Sequence, residues 1–179
     1  MPHDDKYYVG RTRAGAVEAF GELVDRYGGR VYSLVARIVG NREEAEELAQ
    51  DVFVKAFVHL GSFREQCSFS TWLYRIAWNT AISATRRRRL RGLPLDEKLA
   101  DEGQDEWFDE GPDDDRRLER LDAALSTLPP DERALVLLFY TEERSVEEIA
   151  AITGLSRPNV KTKLHRIRKK LLILTGDER

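Results

Sequence analysis

The sequence predicts an all-α protein of two small helical domains joined by a flexible acidic linker, with a helix-turn-helix in the second domain. Apolar residues recur at helical spacing on both sides of residues 93–115. That stretch holds eleven Asp or Glu and one Lys, a local charge of −10. Since the whole chain carries −3, the rest carries +7. The predicted division is a first domain at residues 1–92, a linker at 93–115 and a second domain at 116–179.

Two helical segments are predicted in the first sixty residues. Residues 16–39 carry apolar side chains at helical spacing. Gly28 and Gly29 leave two alternatives open, one weakened long helix or two shorter ones. Gly40 can cap the end of this stretch, and Asn41 and Glu44 have the spacing of a start signal, so the next helix should begin there.

A third helix is predicted after a short connector. Ser70 or Thr71 can cap it, and it should run into the arginines at residues 86–89. Basic side chains beside exposed aromatic rings suit a nucleic-acid surface, because cations meet phosphates and rings stack on unpaired bases. The alternative is that Trp72, Tyr74 and Trp78 belong to the core, as aromatic residues at helical spacing usually do.

The acidic linker contains prolines and glycines and has no helical or strand period. Because its charges repel one another, we expect it to be extended or disordered. Trp107 and Phe108 stand alone among its acids, either as an anchor or as chance residues of a tether. After the linker, two supporting helices are predicted at residues 117–128 and 130–140, separated by a Pro-Pro pair.

Residues 145–171 have the pattern of a helix-turn-helix, whose second helix enters the DNA major groove. Ser145 and Glu148 form a capping box, Gly154 suits the turn, and Ser156 can cap the second helix. Seven Lys or Arg and no Asp or Glu follow between Ser156 and the end of the basic run. An ordinary solvated helix interleaves both signs, so this face favours DNA binding.

Composition argues against several other classes. No run approaches the roughly eighteen apolar residues of a membrane span and the N-terminus does not read as a signal peptide, so we expect a cytoplasmic protein without membrane insertion. One cysteine, Cys67, and three scattered histidines give neither a disulfide nor a metal site. We find no phosphate loop and no nucleophile with a base, so no catalytic residue and no cofactor is predicted.

In these features the chain resembles a sigma factor of the extracytoplasmic-function (ECF) group of the sigma-70 family. Such proteins are initiation subunits of bacterial RNA polymerase. The resemblance covers nearly the whole chain and rests on three motifs in order. They are AEELAQDVFVKAF, FSTWLYRIAWNTAI followed by the arginine run, and LSTLPPDERALVLLFYTEERSVEEIAAITGLSRPNVKTKLHRIRKKL.

The resemblance implies two sites in the first domain. The site for core polymerase would comprise Glu47, Leu48, Gln50, Asp51 and Phe53. The site for the minus-ten element would comprise Ser68, Phe69, Trp72, Asn79, Ser83, Arg86 and Arg87. Ser68, Phe69 and Asn79 would capture a flipped base, Trp72 would brace the loop, and the arginines would hold phosphates. The family usually has an acidic or amide residue where this chain has Ser83, which reaches less far.

In the second domain, the resemblance implies a site for the minus-thirty-five element. Its residues would be Arg157, Asn159, Lys161, Thr162, Lys163, His165 and Arg166. Lys161, Thr162 and His165 would read base edges, whereas Arg157, Lys163 and Arg166 would mainly contact phosphates. The implied partners are core RNA polymerase, promoter DNA and an anti-sigma factor.

The function implied is that of a transcription initiation factor that directs polymerase to specific promoters and helps melt the minus-ten element. The alternative is a polymerase-independent regulator that binds a palindromic operator as a dimer, for which no coiled-coil seam is evident. An enzyme is disfavoured by the absence of a catalytic motif. A structural adaptor is disfavoured by the basic recognition face.

Overall fold

The computed structural model describes residues 3–92 and 112–176, and within them it contains helices and no strand. The predicted all-α class is confirmed. The α-helices in this part of the chain are α1 (Asp5–Arg13), α2 (Glu18–Val39), α3 (Arg42–His59), α4 (Phe69–Leu90), α5 (Pro112–Ser126), α6 (Pro130–Val136), α7 (Val146–Thr153) and α8 (Arg157–Thr175). Most of the acidic linker, including Trp107 and Phe108, lies outside the described residues.

The first helix, α1, is an element that the sequence patterns do not predict. It has few apolar residues, so it shows no apolar stripe of the usual kind. Asp4 caps it by accepting a hydrogen bond from the Tyr7 backbone N–H at 2.9 Å, and Tyr8 and Val9 are buried. Because short helices are marginal alone, α1 depends on its packing against α2.

The open question about Gly28 and Gly29 is decided in favour of one continuous helix, α2. Each glycine costs a helix interior about 0.5–1 kcal/mol relative to alanine. Buried Tyr27 and Val31 on either side of the pair offset that cost. The predicted boundaries that follow are confirmed, since Gly40 ends α2 at φ 72° and the Asn41 side chain accepts a hydrogen bond from Glu44 N at the start of α3.

The start of α4 differs from the prediction. Ser68 is the N-cap, with an extended backbone and its Oγ accepting from Thr71 N at 3.2 Å. Ser70 and Thr71, the predicted caps, lie buried in the first turn. The sequence offers three hydroxyl residues within four positions, so only the backbone geometry distinguishes the cap.

The start of α5 is a second correction, because the helix begins at Pro112, within the predicted linker. Proline at a first helical position and three aspartates in the first turn both favour a helix start. Further on, α6 ends earlier than expected and continues as a π-type turn at Leu137–Thr141.

Buried side chains from both halves of the chain form one continuous hydrophobic cluster. Helices α2, α3 and α4 pack on one another, α8 packs on α5, α6 and α7, and the halves meet where α4 contacts α7 and α2 contacts α6. A polar contact lies at this junction, where the Tyr74 hydroxyl donates to Glu142 Oε2 at 2.6 Å. Tyr74 is fully buried and the Glu142 side chain is only 10 % exposed.

Replacing Tyr74 tests how much this junction stabilises the fold. Tyr74→Phe removes a hydrogen bond to a nearly buried carboxylate, so we expect the free energy of unfolding to fall by about 1.5–3 kcal/mol. Urea denaturation at neutral pH measures it. The matched control is Tyr140→Phe at a residue that is 54 % exposed, which should change little. Equal losses in the two variants would contradict the role of the Tyr74 hydroxyl.

Candidate nucleic-acid and polymerase interfaces

Helices α7 and α8 form the predicted helix-turn-helix. Both halves of the capping box are present, with Glu148 N donating to Ser145 Oγ at 3.2 Å and Ser145 N donating to Glu148 Oε2 at 2.9 Å. Gly154 turns the chain at φ 77°, and Ser156 caps α8. The two helices bury four apolar side chains, namely Ile149, Ile152, Val160 and Ile167.

The outer face of α8 carries the residues predicted for the minus-thirty-five element. Six of them are exposed, namely Arg157, Asn159, Lys161, Thr162, His165 and Arg166. The seventh, Lys163, is half-buried, and its Nζ lies 3.3 Å from Asp131 Oδ2. This helix therefore presents a hydrogen-bonding, basic surface to solvent.

Acidic partners for α8 come from neighbouring helices. Besides the Lys163 pair, Lys170 Nζ lies 2.9 Å from Glu132 Oε2 on α6, and Arg157 lies 4.0 Å from Glu147 on α7. Sequence reasoning missed these pairs because it compared charges along α8 alone. The freely available positive charge is consequently smaller than the seven cations suggest.

One face of α4 carries most of the residues predicted for the minus-ten element. Asn79, Ser83, Arg86 and Arg87 are exposed and follow at three- or four-residue steps. Trp72 is half-buried two turns before Asn79. Arg75, which sequence reasoning missed, is exposed one turn before Asn79 and adds a cation to this face. Its position four residues before Asn79, on the same face of the helix, was the sequence signal that could have identified it.

Ser68 and Phe69 are engaged in the fold itself. Ser68 Oγ caps α4 and bonds to Thr71 Oγ1 at 2.8 Å. Phe69 is 3 % exposed, and its ring centroid lies 5.8 Å from that of Trp72 and 6.0 Å from that of Phe63. In this conformation the Phe69 ring supports the connector from inside instead of facing solvent. Tyr74 and Trp78 are also buried, so the core alternative holds for these two aromatic residues.

The arginine run at the end of α4 divides between two environments. Arg88 is only 18 % exposed, because its guanidinium lies 3.1 Å from Glu44 Oε2 and donates to the Val39 carbonyl at 3.3 Å. It therefore ties α4 to the start of α3. Arg87 and Arg91 border a cleft of about 440 Å³. This cleft lies between residues predicted to contact polymerase and residues predicted to contact DNA. The cleft is lined by Glu44, Glu47, Leu48, Ala84, Arg87, Arg88 and Arg91.

On α3, the residues predicted for polymerase differ in exposure. Glu47, Gln50 and Asp51 are exposed, Leu48 is half-buried, and Phe53 is only 9 % exposed. The exposed apolar side chains lie further along the helix, where Val54 is 61 % and Val58 is 69 % exposed. Sequence reasoning missed both valines, although each follows an exposed residue of the same face by three or four positions. The helix thus presents an acidic half and an apolar half.

The start of α4 contacts the turn before α7. Arg144 Nη1 donates to Ser70 Oγ at 2.9 Å and to Glu148 Oε1 at 3.3 Å, and Thr71 Oγ1 donates to the same Glu148 oxygen at 3.3 Å. The Arg144 guanidinium lies over the Tyr74 ring at 4.9 Å. Charged groups of the second half therefore lie beside the first turn of the helix that carries the residues predicted for the minus-ten element.

Two pKa shifts at this junction have clear causes. Burial, reinforced by the hydrogen bond to Glu142, raises the pKa of the Tyr74 hydroxyl, which stays protonated and keeps donating. For Glu148, partial burial alone would raise the pKa. Hydrogen bonds from Ser145 and the Arg144 charge outweigh burial and lower the pKa of the Glu148 carboxyl.

A search for other sites was negative in the described ranges. Residues 3–92 and 112–176 contain no cluster of His, Cys, Asp and Glu that could hold a metal ion. No helix in the same ranges is long and apolar enough to cross a membrane.

Comparisons with known proteins agree with this arrangement. The family model for Sigma-70 region 2 matches residues 23–91, and the model for Sigma-70, region 4 matches residues 118–171. The ECF RNA polymerase sigma factor SigW of Bacillus subtilis (strain 168) is 32 % identical over 181 residues, with 93 % of this chain and 94 % of that protein covered. The ECF RNA polymerase sigma-E factor of Escherichia coli (strain K12) is 33 % identical over 179 residues, with 93 % and 92 % covered.

A solved structure matches over nearly its whole length. CnrH, in a complex with the cytosolic domain of CnrY, has a TM-score of 0.66 and 26 % identity, with 98 % of this chain and 99 % of that chain covered. Helical regions 2 and 4 in one chain define a sigma-70-type factor. This chain belongs to the ECF RNA polymerase sigma factors, so the resemblance is confirmed.

The chain is accordingly a promoter-directing transcription initiation factor whose partners are core RNA polymerase and promoter DNA. Proteins of this kind are transcription factors, not enzymes. The alternative of a polymerase-independent regulator is set aside, because the first half matches a sigma region and not a dimerisation or sensor module.

The lowered pKa of Glu148 predicts a pH dependence. Its ionised form is favoured in the fold, so its contribution is present above the unfolded pKa of 4.5 and is lost as the pH falls through the lower folded pKa. Glu148→Gln preserves the capping-box acceptor but does not titrate. We expect wild type to exceed this variant in unfolding free energy at about pH 7, and the gap to close below about pH 4.5.

Urea denaturation over that pH range measures the gap. Glu147→Gln is the matched control, because the Glu147 side chain is 58 % exposed. A gap between wild type and Glu148→Gln that stays constant with pH would contradict the assignment.

Proposed function

We propose that the two halves of the chain divide promoter recognition between them. Residues 3–92 bind core polymerase and capture the minus-ten element, whereas the helix-turn-helix of residues 145–176 reads the minus-thirty-five element. The observation that carries this proposal is the exposure of the α8 outer face within a well-capped helix-turn-helix. The exposed face of α4 supports the same division.

On α8, the exposed and hydrogen-bonding side chains Lys161, Thr162 and His165 face the base edges in the major groove. Arg157 and Arg166 contact phosphates and set the register of the helix on the duplex. Lys163 contributes less than they do, because its ammonium already has an acidic partner on α6.

On α4, the amide of Asn79 reads an unstacked base, with the Trp72 ring beside the pocket that receives it. Phe69 supports that pocket from the interior, and Arg86 and Arg87 hold the adjacent phosphates. Unstacking costs a few kcal/mol per base, which stacking and hydrogen bonding in a pocket offset.

On α3, the acidic residues Glu47 and Asp51, with the neutral amide of Gln50 beside them, approach a basic surface of polymerase and increase the rate of encounter. Val54 and Val58 lose their exposed apolar surface in the same contact. We therefore add these valines to the predicted polymerase site.

Reading both elements requires the two halves to separate. The element names place them about 25 base pairs apart, or about 85 Å of B-form duplex. A compact domain of about 90 residues has a radius of gyration of only about 12 Å, so two domains in contact cannot span that distance. Nineteen residues lie between Gly92 and Pro112, and a chain of that length reaches at most about 65 Å between its ends. This reach, added to the widths of the two domains, is sufficient to span the distance between the two promoter elements.

The similarity to CnrH suggests regulation by a protein partner. CnrH is seen with the cytosolic domain of CnrY, and by analogy an anti-sigma factor holds this chain away from polymerase. The chain then acts in the cytoplasm, together with polymerase, and performs no chemistry of its own.

Run-off transcription tests the proposal directly. Purified core polymerase is offered a library of promoter fragments with wild-type protein, with no added protein, or with a Lys161→Gln, Arg166→Gln double variant. A defined start site with wild type alone supports the proposal. Equal transcription by the double variant would exclude the proposed role of α8.

The ion pairs on α8 predict a difference between two phosphate contacts. For the minus-thirty-five duplex found by run-off transcription, Arg166→Gln should reduce the slope of log affinity against log salt by about one, because one counterion fewer is released. Lys163→Gln should reduce it by clearly less. Fluorescence anisotropy with holoenzyme measures both slopes. A larger change for Lys163→Gln would show that the Asp131 pair does not persist on DNA.

A further inference from the structure

The connector before α4, residues 60–68, is attached to α1 mainly through the Arg13 side chain. Arg13 donates from Nε and Nη2 to the Leu60 carbonyl at 3.2 and 3.0 Å, and from Nη2 also to the Phe63 carbonyl. Its guanidinium carbon lies 5.8 Å from the Phe63 ring centroid. The connector ends at Ser68, the cap of α4 and a predicted minus-ten residue.

The connector also contains a backbone conformation that needs support. Glu65 has φ 56°, in the left-handed region that costs a non-glycine residue about 1–2 kcal/mol. Its carboxylate lies 3.6 Å from Arg13 Nη1 and 3.9 Å from Lys6 Nζ, both on α1. Two cations of α1 therefore face the point where the connector is strained.

The Phe63 ring connects the connector to α4 by packing against two aromatic rings of that helix. It lies 5.1 Å from the Trp72 ring and 6.0 Å from the Phe69 ring. A shift of the Phe63 backbone would move the aromatic group that lies beside the minus-ten face. The connector is thus positioned by Arg13 on one side and by packing against α4 on the other.

The opposite end of α1 is fixed to α2. Asp5 Oδ2 accepts from the Tyr27 hydroxyl at 2.6 Å, and Asp5 Oδ1 accepts from Arg26 Nη1 at 2.5 Å. Burial, followed by the bond to Asp5, raises the pKa of Tyr27 to about 12, so the phenol remains a donor at neutral pH. Arg13 therefore acts from a helix that is itself held in place.

We propose that Arg13 is a positioning residue for minus-ten recognition, which holds the connector so that Ser68 and Trp72 keep the geometry of the base-binding pocket. It lies outside residues 23–91, which match the region 2 model. The inference rests on the proposed function of α4. It adds α1, the helix that the sequence does not predict, to the promoter-opening machinery.

The test uses holoenzyme and a fork-junction DNA made from the promoter that run-off transcription identifies. 2-Aminopurine replaces each adenine of the non-template minus-ten strand in turn, and its fluorescence rises when the base leaves the stack. We expect Arg13→Ala to lower the affinity for this DNA about ten- to a hundredfold, as small displacements of a binding group do, and to reduce the fluorescence at saturation. Arg13→Lys, which keeps the charge but cannot bridge two carbonyls in the same way, should fall between Arg13→Ala and wild type.

Two controls separate positioning from general destabilisation. Arg11→Ala makes the same change on an exposed residue of α1 and should match wild type. Affinities for core polymerase and for the minus-thirty-five duplex should be unchanged in Arg13→Ala. Wild-type fluorescence with Arg13→Ala, or equal losses in all three binding assays, would overturn the proposal. If wild-type holoenzyme itself gives no fluorescence response, the proposed function of α4 fails instead.

Discussion

The structure depends on the position of α4, which packs into the first half of the chain and contacts the second. Its buried face includes Leu73 and Ala77, its exposed face carries Asn79 and the arginines, and its first turn meets α7. Tyr74 lies at the centre, because its ring is in the core while its hydroxyl reaches Glu142. One helix therefore links the folding of the first domain, the face proposed to bind DNA and the contact between the halves.

That contact contains charges, and its energetics differ from those of an apolar core. The side chains of Glu142 and Arg144 are 10 % and 13 % exposed, and taking two charges out of water costs several kcal/mol each before their partners compensate. Arg144 Nε is buried and finds no hydrogen-bond partner within the described part of the chain. Because these groups regain hydration when the halves separate, the contact is well suited to opening and closing.

Local features of the sequence predicted local features of the structure. The capping box at Ser145, the glycines that end α2 and α7, and the exposed basic face of α8 follow from side-chain chemistry within a few positions. These signals hold because each involves one turn of helix. The site residues, in contrast, were predicted from the resemblance of three sequence motifs to those of the family.

The features that the sequence did not reveal involve partners distant along the chain. Arg88 turns toward Glu44, Lys163 pairs with Asp131, and Arg13 holds carbonyl groups about fifty residues away. Helix α1 lacks a periodic apolar stripe and depends on tertiary packing. The packing of α4 on α7 had no local signal, since it brings together two helices about seventy residues apart that were predicted to belong to different domains.

The central claim is that the halves are in contact in the free protein and apart on a promoter. Energy transfer between dyes measures this most directly, with Cys67→Ser removing the native thiol and labels at Asp25→Cys on α2 and Leu174→Cys on α8, both exposed. The account predicts high transfer in the free protein and a large loss in the complex with polymerase and promoter DNA. Equal transfer in the two states would contradict it.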